Sequence, residues 1–209
     1  MKLTIPSFPN GGSIPRPYAL GVPDEQNHVR FGENRNPHLR WEYPPPNTCS
    51  FAVICHDSDV PSVGDDVNQE GRTVPVDLPR TNFFHWVLVD IPADVREIPE
   101  GAVSDGVTPH GKPVGPTEYG KAGRNDYTGW FSGNADMEGE YGGYDGPGPP
   151  WNDERLHHYH FTLYALETER LDLPESFSGE EALDAMEGHI LAQSEWVGTY
   201  AIYENARKG

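Results

Sequence analysis

Turn-forming residues set the tightest limit on what this chain can become. Its 23 glycines and 21 prolines are spread over most of 209 residues, leaving short runs between interruptions. Proline removes a backbone donor and glycine weakens any regular element, so long helices are excluded and short strands joined by loops are favoured. The expectation is an all-β chain of one domain, residues 1–209, with long loops. Phe51-Ala52-Val53-Ile54-Cys55 reads as a buried central strand, and Phe83–Ile91 as a second, apolar on both faces as a sandwich interior demands. His157–Leu166 alternates as a third strand, Gly198–Tyr203 closes as a last one, and Leu3–Phe8 is a candidate edge strand limited by Pro6. One helix is expected near the C-terminus. Ser178 and Glu181 form a capping-box pattern, with Leu183, Met186 and Ile190 on one face beyond it. Residues 105–150 show no periodicity, which is long for a structureless loop in a compact domain.

Charge narrows the function classes. Lys and Arg total 15 against 33 Asp and Glu, a formal net charge of −18. Nucleic-acid binding needs cations in excess, so it is excluded, and anionic membranes repel such a surface. No apolar run is long enough for a signal peptide or a membrane span, so a cytoplasmic location is expected. Cys49 and Cys55 would lie about 20 Å apart on an extended strand, too far for a disulfide, and read as buried thiols in a reducing compartment.

After the first strand comes His56-Asp57-Ser58-Asp59-Val60-Pro61. Strand alternation puts Asp57 and Asp59 on one face, where two carboxylates want donors, protons or cations between them. Pro61 is expected to stop ladder pairing and turn the chain away. His85 enters the second strand, and Gly146-Pro147-Gly148-Pro149-Pro150 precedes His157-His158-Tyr159. Alone, each of these is an ordinary turn or strand-rim feature.

Together they carry a resemblance. Asp57-Ser58-Asp59-Val60-Pro61 resembles an Asp-Pro-Asp-x-Pro motif, and Phe84-His85-Trp86 a His-Trp strand. Gly146–Pro150 with His157-His158-Tyr159 resembles a Gly-x-Pro-Pro…His-x-Tyr segment, and Asn36–Trp41 and Ser50-Phe51-Ala52 resemble its lead-in. Over roughly residues 30–203 the chain is similar to the phosphatidylethanolamine-binding proteins, in the bacterial and archaeal branch called Raf kinase inhibitor-like. The resemblance implies a Greek-key-like antiparallel β-sandwich with an anion pocket at one end. The site residues it carries over are Asp57, Asp59, His85, Gly148, His157 and Tyr159. It also points, with the tight turn, to a cis Val60–Pro61 bond. Two departures stand out. Ser58 replaces a proline, and residues 127–144 read as an insertion whose Trp130, Phe131, Tyr141 and Tyr144 could cover the pocket or a partner surface. Family members that bind kinases or proteases use variable surfaces, so that activity does not transfer by motif.

Residue chemistry gives the expected function: non-catalytic binding of a small phosphate-bearing, phosphoethanolamine-like ligand or a carboxylate. Gly148 N–H, the Tyr159 hydroxyl and imidazole N–H groups would donate to it. Asp57 is expected to orient His85 and favour its protonated form, and Asp59 to do the same or receive an ammonium. Affinity should then rise as pH falls through the histidine range. No cofactor or metal is expected. Two alternatives stay open: metal-dependent hydrolysis by the Asp/His cluster, and a protein-interaction module built on the aromatic insertion.

Overall fold

The computed structural model describes residues 1–206. The longest apolar runs form the middle of a seven-stranded sheet. Its strands are β1 (Gly12–Ser13), β2 (Ser50–Pro61), β3 (Arg80–Pro92), β4 (Gly115–Thr117), β5 (Gly120–Ala122), β6 (His157–Leu166) and β7 (Ile190–Tyr200). Across the sheet they run β4-β5-β3-β2-β6-β7-β1. All neighbours are antiparallel except β7 and β1, which are parallel. Glu140–Tyr141 also pairs in parallel with Gly111–Lys112. The expectation of purely antiparallel sheets is corrected: these partners are far apart in sequence, so no hairpin dictates their direction.

Side-chain alternation explains why β2 is apolar throughout. Phe51, Val53 and Cys55 join a core cluster with Trp86, Phe161 and Leu163. That cluster also holds Leu3, Leu39, Trp41 and Ile98, from a three-stranded antiparallel sheet of Lys2–Thr4, Leu39–Glu42 and Glu97–Ile98. Ala52 and Ile54 point the other way, into a second cluster with Val87, Val89, Phe177, Ala182 and Met186. Two faces buried in two clusters leave the strand no polar side.

There are two short α-helices among the described residues, α1 (Tyr127–Trp130) and α2 (Gly179–Met186). The capping box forms: the Ser178 hydroxyl accepts from Glu181 N–H at 3.2 Å, and the Glu181 carboxylate from Ser178 N–H at 2.7 Å. Ile190 does not share the helical face. Gly188, at φ +85°, turns the chain after Met186 and Ile190 opens β7, so the last strand begins at Ile190 rather than Gly198.

Two local expectations at the acidic motif are overturned. β2 continues through Pro61, which pairs with Arg80, and no peptide bond among the described residues is cis. Register shifts between Asp57 and Val60 absorb the irregularity inside the ladder, and the chain stays extended where a tight turn was expected. Cys55 is buried as expected, but Cys49 is exposed at the strand's entrance. Of the four insertion aromatics, Phe131, Tyr141 and Tyr144 are buried and Trp130 is 54% exposed. No helix among the described residues is long and apolar enough to cross a membrane.

Candidate functional site

Three adjacent strands bring the motif residues together. β2 supplies Asp57, β3 His85, and β6 His157 and Tyr159, with Asp57 directly opposite Tyr159 in the β2–β6 register. Gly148 and the prolines after it form one wall, and α1 adds Tyr127 and the exposed Trp130. These groups line a cavity of about 90 Å³. The space is small, of a size that suits a phosphoryl or carboxylate group.

Five of the six expected site residues line this cavity, and Asp59 does not. Beyond the β2 bulge its carboxylate accepts from Arg155 Nε at 2.6 Å and from the His158 backbone N–H and Nδ1 at 2.9 and 2.8 Å. Burial opposes ionisation there, yet the His158 and Arg155 donors hold the carboxyl below its usual range.

Asp57 is committed to His157 rather than to His85, contrary to expectation. One Asp57 oxygen accepts from His157 Nδ1 at 2.7 Å and the other from the Asp59 N–H at 2.8 Å. Asp153, also buried, accepts from His157 Nε2 at 3.0 Å and takes both terminal nitrogens of Arg80, at 2.6 and 3.0 Å. A carboxylate only accepts, so both imidazole nitrogens must carry protons. The result is a buried file of alternating charge: Arg80, Asp153, His157, Asp57. Burial alone would depress the His157 pKa; Asp57 and Asp153 outweigh it and raise it to about 9. With neither nitrogen offering a lone pair, His157 is not placed to ligate a metal. Among the described residues no group of three or more His, Cys, Asp or Glu is arranged to hold one.

His85 is the opposite case. Its Nδ1 lies 2.8 Å from the Asp145 carbonyl oxygen, which fixes the tautomer with the proton on Nδ1. Burial holds the ring's pKa below the ordinary imidazole value, against the opposing charge of Asp57. The ring is therefore neutral near pH 7, with Nε2 as an acceptor. Asp145 is itself pinned: its carboxylate accepts from Lys112 Nζ at 2.9 Å, Asn34 Nδ2 at 2.7 Å and Asn125 Nδ2 at 2.8 Å. Tyr127 donates its hydroxyl to the Gly146 carbonyl at 2.9 Å.

One side-chain donor lacks a well-formed bond. The Tyr159 hydroxyl is fully buried in the cavity wall beside the Asp57 carboxylate and makes no hydrogen bond of good geometry. Burial, reinforced by the charge and the hydrogen-bonding reach of the Asp57 carboxylate, raises its pKa well above the phenol value, so it keeps its proton. An unpaired buried hydroxyl costs on the order of 1–3 kcal/mol, which a ligand oxygen would recover.

Arg80, Asp145, Asp153, Arg155 and Tyr127 were not singled out from sequence. The weak available signal was Asp153, four residues before His157 in a segment otherwise rich in turn residues.

The sequence model of the family described as "Phosphatidylethanolamine-binding protein" matches residues 4–201. A UPF0098 protein of Methanothermobacter thermautotrophicus is 31% identical over 200 residues, covering 96% of this chain and 98% of that one. The UPF0098 protein YbhB of Escherichia coli is 32% identical over 196 residues, covering 93% and 96%. The crystal structure of Escherichia coli YbcL, described as a new member of the mammalian PEBP family, superposes with a TM-score of 0.67 at 25% identity, covering 96% and 97%. A Chlamydia trachomatis homologue, CT736, gives 0.63 at 26%, covering 95% of each. With the family model spanning nearly the whole chain, this chain belongs to the phosphatidylethanolamine-binding protein family.

Proposed function

We propose that the chain binds a small phosphate-bearing ligand, phosphoethanolamine-like, or a carboxylate in its place, without chemically altering it. The observation that carries this reading is a small cavity of about 90 Å³ whose wall holds the Tyr159 hydroxyl, buried beside Asp57 without a hydrogen bond of good geometry. Gly148, another lining residue, has an N–H that makes no hydrogen bond among the described residues and is a second donor. No Ser, Thr, Cys or Lys side chain lines the cavity, and its one carboxylate, Asp57, is held by His157 and the Asp59 N–H. The free, exposed Cys49 suits a reducing compartment such as the cytoplasm.

Isothermal titration with phosphorylethanolamine at about pH 6, with and without a chelator, tests the reading. Binding should survive chelation, and Tyr159→Phe should weaken it about tenfold by removing one buried hydrogen bond. Heat that requires added metal would instead favour hydrolysis by the Asp/His cluster. Absence of heat under all conditions would overturn the binding reading.

A further inference from the structure

The cavity floor is short of donors and rich in acceptors. Both N–H groups of His157 are directed at Asp57 and Asp153. The single N–H of neutral His85 is directed at the Asp145 carbonyl. Neither histidine has a proton to offer a ligand. The charges cancel in pairs, Asp57 with His157 and Asp153 with Arg80, so no net positive charge faces the cavity. The charged and titratable groups around His85 are Asp57 and His56 from β2, Tyr159 from β6, Tyr127 from α1, and Asp145 with Lys112 behind it. Only Tyr159 and Gly148 remain as donors, whereas His85 Nε2 is an acceptor without a partner among the described residues.

A doubly charged phosphate would place bare oxygens against that acceptor with no cation to balance them. A ligand carrying one proton of its own satisfies both kinds of group. Resting on the binding reading above, we propose that the site selects the singly protonated form of a phosphomonoester. Its P–OH donates to His85 Nε2, while Tyr159 and Gly148 donate to its charged oxygens. A sulfate ester of the same shape and the same single charge has no such proton and is rejected.

The discriminating pair of probes is phosphorylethanolamine and ethanolamine O-sulfate, titrated into the full chain at pH 6, 7 and 8. A buried acceptor left unpaired should make the sulfate ester bind about tenfold or more weakly at pH 6. With a second phosphate pKa of about 6, the monoanion falls from about half to about one part in a hundred between pH 6 and 8, so apparent affinity should fall about 50-fold. The ³¹P resonance of the bound ligand should keep the monoanion's shift at pH 7. His85→Gln, whose amide offers N–H as well as oxygen, should narrow the gap between the two esters. Equal affinity for both esters, a pH-independent phosphoryl affinity or a bound dianion would overturn the inference and leave anion binding intact. A gap unchanged in His85→Gln would overturn His85 as the acceptor. If neither ester bound, the binding reading itself would fall.

Discussion

At the residue scale, the site is held by carboxylates that never need to touch a ligand. Asp153 grips Arg80 and the far nitrogen of His157, so the imidazolium cannot swing into the cavity. The His157 pKa, raised to about 9 when folded against about 6.5 unfolded, links this grip to stability. Its contribution is complete below about pH 6.5 and is lost as pH rises through about 9. Asp153→Asn should bring the His157 pKa down, readable by NMR titration, and flatten the loss of stability over that window. It should also cost about 3–5 kcal/mol in urea unfolding, because Arg80 is left buried without its partner. Asp57, His85, Gly148, His157 and Tyr159 were legible because each sits in a recognisable short motif. Asp145 and Asp153 were not. In one dimension, an aspartate among Gly, Pro and Asn looks like a solvated turn residue, and only the fold shows that each is buried among donors. The same blindness misassigned Asp57, whose alternation-based face was right while its partner depended on the neighbouring strand.

At the element scale, the apolar runs of β2, β3 and β6 could be read directly, since strands buried on both faces need no alternation. Where elements stop was harder. Bulges let β2 run through Pro61, and a left-handed Gly188 ended α2 before Ile190. Neither feature has a hydrophobic signature. The contact of α2 with the sheet is close enough to be tested. A Cβ added at Gly179 would lie 2.2 Å from Phe84 Cδ1, so helix or ring must move. Overpacking of this kind costs about 1–3 kcal/mol, and Gly179→Ala should lower the denaturation midpoint accordingly. His85 follows Phe84 on β3, so the ring displacement should also reach the neighbouring cavity resonances.

At the scale of the whole molecule, a net charge of −18 makes like copies repel, yet charge alone does not protect the open side of a sheet. Residues near the N-terminus lie along β7: Gly11 and Ile14 donate to the Val197 and Thr199 carbonyls at 2.7 and 2.8 Å, and Leu3 N–H reaches Ser194 Oγ at 3.0 Å. Beyond this cover, at its start, β7 carries Ile190 and Leu191, 41% and 37% exposed. The cover is thin, since β1 is two residues long. Its loss would uncover a row of unpaired backbone groups beside apolar side chains, an invitation to strand addition by another copy. A chain lacking residues 1–14 should therefore form oligomers that grow with concentration on size-exclusion chromatography, while the full chain does not. Seen this way, the parallel pairing of β1 with β7 is a guard against self-assembly, and the first turn of the sequence matters for solubility as much as for the core.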